Sequence, residues 1–200
     1  MDLMPIILAS QSESRLKLLK AINIVPSQVI SANIDETHLP AELPKNLALR
    51  LAIQKANTIA QSIENGYIIA ADTVAAVGRR ILPKAMTDLD VEYCLKMLSG
   101  RRHKVFTGVK VIKVKNNNII AFNTRTVESI VKVKRLTSQE IAAYVITKQG
   151  LNKAGGHSME GIWQCFVQFM RGSSSNIMGL PLFETRNMLL SLGFDCIRNI

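Results

Sequence analysis

The sequence is poor in aromatic residues and cysteine, and it has no long apolar segment. Aromatic side chains make up only 5% of the chain, fewer than the stacking surfaces of single-strand nucleic-acid binders require. The cysteines Cys94, Cys165 and Cys196 are odd in number and lack metal-like spacing, which predicts free thiols in a reducing compartment. The longest apolar run, YIIAADTVAAV, is too short to cross a bilayer and contains Asp72. These absences predict a soluble, cytoplasmic protein without a membrane span.

Several well-known functional motifs are also missing. No G-x-G-x-x-G follows a predicted strand, which argues against a simple dinucleotide-binding fold, and there is no Walker loop or G-x-S-x-G nucleophile turn. Only three histidines are present, without H-x-x-x-H or C-x-x-C spacing, so we expect no zinc site. His103, within GRRHK, is most simply a surface or strand-start histidine. The segment MDLMPIIL lacks the basic and long apolar regions of a signal peptide, so none is predicted.

The chain is rich in apolar residues and positive charge. Its 200 residues are 48% hydrophobic, enough for one packed domain over residues 1–200. Lysine and arginine number 25 against 15 acidic residues, a formal net charge of +10. An anionic partner is therefore expected: a nucleotide, a nucleic acid or an acidic membrane surface.

Strand and helix patterns alternate along the chain. The first half predicts, in order, a strand MPIILAS, a helix SESRLKLLKAI, a strand VPSQVISANIDET, a helix NLALRLAIQKANTIAQSIEN ended by Gly66, and a buried strand YIIAADTVAAV. In the second half, capping boxes predict a helix at 87–99 and another from 137 to near Gly150. Between them, a half-buried strand HKVFTGVKVIKV is predicted to enter a hairpin that turns at 116–118. A strand around WQCFVQF and a last helix begun by Pro181 complete the prediction. The predicted class is α/β with a mixed sheet.

Arg15 in LASQSESRLKLL occupies an unfavourable position. It lies in the first turn of a predicted helix, where the macrodipole is positive and acidic or capping residues are preferred. A strand, a serine-rich turn and a helix N-terminus can bind an anion, and Arg15 would add a planar cation for phosphate oxygens. The alternative is that Ser12 caps the helix while Arg15 faces solvent.

Acidic and basic side chains suggest phosphoryl chemistry. Asp72 interrupts an apolar strand, which is costly unless the carboxylate is paired or binds a metal. If that strand ended at Ala71, Asp72 would lie at the carboxyl edge of the sheet, where Asp35 and Glu36 could join it to hold Mg²⁺ or Mn²⁺. A turn cap or a lysine pair is the alternative. Lys84 follows a proline in ILPKA and is a candidate phosphate cation, whereas Lys55 on a helix edge is more typical of a surface lysine.

Seven segments of the chain are LASQSESRLKLL, NIDET, AADTV, ILPKA, LSGRRHKVFTGV, KAGGHSMEG and SSSNIMGLPLFET. They occur in the order seen in the Maf family of nucleoside triphosphate pyrophosphatases, also called septum formation inhibitor proteins. The chain resembles that family over nearly its whole length. The resemblance implies an elongated, twisted mixed sheet flanked by helices, with a deep nucleotide-binding cleft, similar to inosine triphosphate pyrophosphatases. It also implies hydrolysis of a nucleoside triphosphate to the monophosphate and diphosphate with a divalent metal.

Carried over by motif, the resemblance implies roles for particular residues. Asp72 would be the proton acceptor, and Glu36 and Asp72 would hold the metal. The substrate would be bound by side chains of the first, third, fourth and later motifs: Ser10, Ser12, Arg15, Lys55, Thr73, Lys84 and Glu160.

The chain departs from the family at two places. The first motif commonly reads S-P-R-R, whereas here Glu13 and Ser14 replace the proline and one arginine. Thr73 matches members preferring dTTP and UTP, whereas Glu160 matches members preferring 7-methyl-GTP, so base preference stays open.

Two other functions are alternatives to catalysis. GRRHK and VKVKR could belong to a basic nucleic-acid-binding module, but the scattered charge and few aromatics predict no stable nucleic-acid complex. A non-catalytic regulator of division is also consistent with the sequence. No membrane partner is expected, and a homodimer is left open.

Overall fold

A computed structural model describes residues 4–196, and it is built around one mixed sheet. Within that range, helices and strands have the following bounds: β1 (Ile6–Leu8), α1 (Glu13–Ala21), β2 (Gln28–Val29), α2 (Pro44–Ala60), β3 (Gly66–Val77), β4 (Arg80–Ile81), α3 (Asp88–Leu98), β5 (Arg102–Lys115), β6 (Asn118–Val133), α4 (Ser138–Ile146), a 3-10 helix (Ile162–Phe166), β7 (Val167–Arg171), α5 (Ser174–Ile177) and α6 (Leu182–Ser191).

The strands lie in the order β2-β1-β3-β5-β6-β7, with β4 paired to the far end of β3. β1 is parallel to β2 and β3, whereas β3, β5, β6 and β7 pair antiparallel with their neighbours. The prediction of an α/β class with a mixed sheet is therefore confirmed.

Helices cover both faces of this sheet. α2 packs on one face, where alanines, leucines and isoleucines fill the contact with β3 and β5. α1 and α6 pack on the opposite face over the β1 end, while α3, α4 and the 3-10 helix pack on that face farther along. No helix within residues 4–196 combines the length and apolar character needed to cross a membrane.

The local capping signals are accurate predictors. Thr87 and Asp90 form a reciprocal capping box at the start of α3, and Thr137 and Glu140 form another at α4. Ser12 accepts a bond from the Arg15 backbone N–H at the start of α1. The predicted hairpin joins β5 to β6 through its asparagine turn.

Four predicted elements have different bounds. The strand predicted over VPSQVISANIDET is reduced to β2, so the Asp35–Glu36 pair does not follow a strand end. α2 stops at Ala60 rather than at Gly66, which instead begins β3. α4 ends at Ile146, short of the predicted end near Gly150. The segment around WQCFVQF divides between the 3-10 helix and β7.

β5 is buried along most of its length, not half-buried as predicted. The reason is a close approach of α2 at Gly108: a Cβ built there would lie 2.3 Å from the Ala48 carbonyl oxygen. The helix therefore covers the face that the alternating pattern assigned to solvent.

The predicted strand YIIAADTVAAV is confirmed, since β3 runs to Val77. Asp72 therefore lies inside the strand, and the condition under which it would follow the strand, an end at Ala71, is not met. The two strands on the other edge of β3 leave a gap between them. β1 pairs with β3 only as far as Ile69, and β4 joins it only at Ala76. The β3 edge from Asp72 to Val74 is consequently open to a cavity beside the carboxyl end of β1.

Candidate active site

A cavity of about 790 Å³ lies where the chain turns from β1 into α1. Its volume is in the usual range for small-molecule sites. The side chains to which the family resemblance gave a role in binding substrate or metal all line it: Ser10, Ser12, Arg15, Glu36, Lys55, Asp72, Thr73, Lys84 and Glu160. Asp35 is not among its lining residues and instead accepts a bond from the Thr37 backbone N–H at 2.9 Å.

Asp72, Lys55 and Glu36 form an ion cluster on one side of β3. Lys55, from α2, places its Nζ 2.5 Å from Asp72 Oδ1 and 2.6 Å from Glu36 Oε1. Lys55 and Asp72 are both buried, whereas the Glu36 side chain is about half exposed. The interpretation of Lys55 as a surface lysine is therefore wrong, since two carboxylates stabilise its charge inside the protein.

The surroundings shift the pKa values of both carboxyls in this cluster. Burial raises the pKa of Asp72 above its ordinary value, and the charges of Lys55 and Arg15 offset only part of that rise. Partial burial would also raise the pKa of Glu36, but the hydrogen bond and charge of Lys55 lower it below its ordinary value. A carboxylate with a raised pKa, held in a cavity, has the character of a general base.

Arg15 lies on the other side of β3 and is buried, so its alternative placement in solvent is wrong. The guanidinium donates from Nε to the Gly179 carbonyl oxygen at 2.8 Å, from Nη1 to Ser10 Oγ at 2.9 Å, and from Nη2 to Thr73 Oγ1 at 3.2 Å. Because these acceptors are neutral, the positive charge is not cancelled by direct pairing. Burial lowers the pKa of Arg15, while the more distant Asp72 and Glu36 carboxylates raise it in part.

Two further predicted residues occupy the rim. Ser12 caps α1, and its backbone N–H is bonded to Ser10 Oγ at 3.2 Å. Lys84 is exposed and forms an isolated bridge with Ala154, which fixes the backbone beside the cavity while leaving its side chain on the surface.

Glu160 lies in a polar group with Ser14 and with two lysines not singled out from the sequence. Ser14 Oγ donates to Glu160 Oε2 at 3.1 Å and accepts from Lys153 Nζ at 3.2 Å. Lys17 adds a longer ion pair of 3.9 Å to Glu160. Lys153 thus brings a cation to Ser14, the position at which the chain lacks the family's arginine. The motif KAGGHSMEG contained both Lys153 and Glu160, but spacing alone did not indicate their common partner.

A buried histidine pair supports the same glycine-rich loop. His157 Nδ1 is 3.1 Å from the Gly155 carbonyl oxygen, which can only accept, so this nitrogen carries the proton. His157 Nε2 is then the acceptor for His103 Nε2–H, 3.3 Å away. His103 Nδ1 is left as a lone pair, and it has no hydrogen-bond partner within residues 4–196. Both rings are thus assigned as neutral. Of the two alternatives for His103, a surface position is wrong because the residue is buried, whereas a position at the start of a strand is confirmed because it is the second residue of β5.

The carboxylates fit a divalent cation only together with a bound phosphate chain. No group of three or more histidine, cysteine or acidic side chains within residues 4–196 is arranged to hold a metal. Glu36 and Asp72 do converge, since both bond to Lys55 Nζ. Mg²⁺ is commonly bound by one or two carboxylates, substrate phosphates and water, so this donor set is compatible with it.

Comparisons with known proteins show the family of the chain. Residues 5–192 match the Maf family, described as Maf-like protein. A protein of Orientia tsutsugamushi (strain Boryong), named nucleoside triphosphate pyrophosphatase, is 85% identical over 199 residues, covering 100% of this chain and 97% of the relative. A protein of the same name from Rickettsia rickettsii (strain Sheila Smith) is 55% identical over 194 residues, covering 96% of this chain and 90% of the relative.

Among solved structures, the Ham1 protein of Staphylococcus aureus aligns with a TM-score of 0.44 and 17% identity, covering 64% of this chain and 71% of that one. That overlap adds nothing to the assignment, which rests on the family match and on the near-complete coverage of both relatives. The chain belongs to the Maf family.

Proposed function

We propose that this protein is a nucleoside triphosphate pyrophosphatase, which hydrolyses a nucleoside triphosphate to the monophosphate and diphosphate. The name of its relatives supports this activity. The observation that carries the proposal is the buried Asp72 carboxylate, which shares one cavity with the cations of Lys55 and Arg15. Such a cavity combines a proton acceptor with positive charge for phosphate oxygens.

In the proposed reaction, Asp72 accepts a proton from a water molecule. The water oxygen forms a bond to the α-phosphorus while the bond from that phosphorus to the α–β bridging oxygen breaks. The electron pair of the broken bond leaves on the diphosphate. Burial favours this role, because a raised pKa makes Asp72 a stronger base than an exposed aspartate.

The basic side chains have two proposed roles: some position other groups of the site, and others stabilise the negative charge of the phosphates. Arg15 has five N–H groups, and its contacts with Ser10, Thr73 and Gly179 leave others for phosphate oxygens. The first turn of α1 provides free backbone N–H groups beside Ser12. Lys84 is exposed at the rim, where it can reach the outer phosphates. Lys55 holds the two carboxylates together, so we assign it a positioning role beside its charge.

We further propose a divalent metal, Mg²⁺ or Mn²⁺, as cofactor. Glu36 and Asp72 would hold it together with phosphate oxygens, and the bound ion would supply positive charge to the phosphate chain. Lys55 contacts one oxygen of each carboxylate in this structure. When the metal binds, Lys55 would keep its contact with one carboxylate or with both.

Base recognition is proposed for Glu160, with Thr73 in a supporting position. Thr73 Oγ1 is already bonded to Arg15 and lies 3.0 Å from Thr107 Oγ1. Glu160 retains acceptor capacity beyond its bond from Ser14, and an ionised carboxylate favours bases that present N–H donors.

The proposed location is the cytoplasm. Cys94, Cys165 and Cys196 are free thiols, which supports a cytoplasmic location. A homodimer stays a prediction, and the monomer already holds the cavity described above.

The test is product identification with a panel of nucleoside triphosphates and Mg²⁺ or Mn²⁺. We expect the matching monophosphate and diphosphate in equal amounts, with loss of turnover when a chelator removes the metal. Release of orthophosphate would contradict the proposed bond cleavage. The Asp72→Asn protein, purified in parallel, controls for contaminating phosphatases.

A further inference from the structure

Two basic segments that lie apart in the sequence meet at one end of the sheet. Across β5 and β6, Arg102 pairs with Lys132 and Lys104 pairs with Ile130. Across β6 and β7, Lys132 pairs with Phe169 and Ile130 pairs with Arg171. Directly paired residues project from the same face of a sheet. We call this surface the basic sheet end, and its members are Arg102, Lys104, Lys132, Phe169 and Arg171.

The basic sheet end lies on the α2 face of the sheet but beyond the cover of that helix. α2 packs against β5 at Gly108, and its Asn57 accepts a bond from Lys110 at 2.8 Å. Nearer the start of β5, Arg102 and Lys104 are exposed, as is Arg171 on β7. The sheet therefore presents a row of cations where the covering helix stops.

Most of this charge lacks an acidic partner. Lys104 pairs with Glu128 at 3.0 Å, and Lys132 donates to the Gly100 carbonyl oxygen at 2.6 Å. Within the part of the chain that the structure describes, no carboxylate pairs with Arg102, Lys132 or Arg171. Three neighbouring strands span about 10 Å, roughly one Debye length, so these charges act together on a ligand.

An aromatic ring lies among these cations. Phe169 is 43% exposed, and the Arg102 guanidinium lies 5.2 Å from its ring centroid. A cation row alone would suit any polyanion. An exposed ring within it adds a stacking surface, which favours an anion that carries flat aromatic groups.

We propose that the basic sheet end binds single-stranded nucleic acid. The phosphates would lie along Arg102, Lys104, Lys132 and Arg171, and a base would stack against Phe169. The sequence argued against nucleic-acid binding because its positive charge is scattered and its aromatic residues are few. In the fold, basic residues from separate segments lie together around one exposed aromatic ring.

This surface is separate from the candidate active site. None of its five members lines the cavity. The strand pairing nevertheless makes them neighbours, since Lys104 pairs with Ala76 and Ala76 pairs with the cavity residue Ile81. The proposal does not depend on pyrophosphatase activity, and the two can fail independently.

The test measures binding of a fluorescently labelled uridine oligonucleotide, about ten nucleotides long, by fluorescence anisotropy over a range of salt concentrations. For Arg102→Ala/Arg171→Ala we expect at least about tenfold weaker binding and a salt slope smaller by about 1.4, two single-strand phosphate contacts. For Phe169→Ala we expect about five- to hundredfold weaker binding with the slope unchanged. Phe169→Tyr should restore most of the affinity.

Matched controls make the result specific. Lys20→Ala/Lys115→Ala removes the same charge at two exposed positions elsewhere and should leave binding within about twofold of wild type. All variants should keep the nucleotide-hydrolysis rate of the wild-type protein.

Four results would overturn the proposal: no binding by the wild type, equal loss in the control, an unchanged affinity in Phe169→Ala, or complete displacement by excess nucleoside triphosphate. Equal competition by polyglutamate would identify an acidic protein surface as the partner instead.

Discussion

Asp72 is the residue whose change should affect catalysis most directly. We expect Asp72→Asn to lower kcat by about 10²–10⁴ while nucleotide still binds, because an amide keeps the shape but cannot accept the proton. Lys55 can still donate to the amide oxygen, so folding should be preserved. Steady-state kinetics and calorimetric nucleotide binding check this. Asp88→Asn, which changes a surface carboxylate paired with Lys148, is the matched control. If more than about a tenth of the wild-type kcat survived, another group would have to accept the proton.

Arg15 should contribute mainly to substrate binding. We expect Arg15→Ala to raise KM by about ten- to a hundredfold, the range for a charge-assisted hydrogen bond, and to lower kcat less. Arg15→Lys should rescue little, because a lysine cannot donate to Ser10, Thr73 and Gly179 from one planar group. Initial-rate kinetics separate the two constants. Arg79→Ala, at an exposed position, should leave both unchanged; an unaltered KM in Arg15→Ala would remove Arg15 from the phosphate site.

Glu160 provides a test of base preference. We expect Glu160→Gln to shift kcat/KM towards UTP and dTTP relative to guanine nucleotides by roughly ten- to a hundredfold, since mispairing one polar group costs about 1–3 kcal/mol. Ser14 can still donate to the amide oxygen, so the local structure should survive. Competition assays with paired nucleotides measure the ratio. Glu13→Gln changes an exposed carboxylate lining the same cavity and should not alter it. A ratio unchanged in both variants would restrict Glu160 to its contacts with Ser14 and Lys17.

At the scale of single residues, the sequence predicted the site best where a residue occupied an energetically unfavourable position. Arg15 in a helix first turn and Asp72 in an apolar strand both had to be compensated, and both prove to be buried in the cavity. The burial of Lys55 and His103 was not predicted, because their partners Asp72 and His157 come from other segments. Sequence position does not give the distance between such groups.

Elements were predictable where their ends are set by local chemistry. The capping boxes of α3 and α4 depend on residues three positions apart and were correct. The open edge of β3 at Asp72 depends on where β1 stops pairing, which is a property of the sheet rather than of the segment. For the same reason, the strand predicted over VPSQVISANIDET was too long: the structure pairs only Gln28 and Val29 with β1.

The contact between α2 and β5 should be sensitive to one methyl group. In Gly108→Ala, the new Cβ would lie 2.3 Å from the Ala48 carbonyl oxygen, so α2 must move away from the sheet. We expect a loss of about 2–3 kcal/mol in the free energy of unfolding and weaker catalysis, since α2 carries Lys55. Chemical denaturation and kcat measure these effects. Gly78→Asn is the control, because that glycine has open space and a φ of 61° that asparagine tolerates. Wild-type stability in Gly108→Ala would contradict the close packing.

Over the whole molecule, two kinds of charged surface occupy different regions. Around the cavity, Asp72 and Glu36 accompany the cations and leave a mixed site. At the basic sheet end, positive charge is largely unpaired, which accounts for part of the net charge of +10. A small, highly charged ligand and a long polyanion would therefore meet different regions of the same domain. The composition predicted an anionic partner, but it could not show that the positive charge is divided between the cavity and the basic sheet end.

The buried histidine pair should make the stability of the whole protein sensitive to mild acid. Burial lowers the pKa of His103 to about 2 and that of His157 to about 4, so the folded state holds both rings neutral. The unfolded chain takes up protons below about pH 6.5, and the stability present above that pH is lost progressively as the pH falls towards the folded-state values.

By about pH 5.5 the expected loss is roughly 1.4 kcal/mol for each histidine, in a range where ordinary carboxyls scarcely titrate. Urea denaturation at several pH values between about 7 and 5.5 measures this dependence. His157→Asn removes one titrating ring and should reduce the slope by about half, even if the variant is less stable at neutral pH. A wild-type free energy of unfolding that stayed constant over this range would contradict the neutral pair. A constant value would also remove the assigned hydrogen bond from His103 to His157 as the support of the glycine-rich loop beside the cavity.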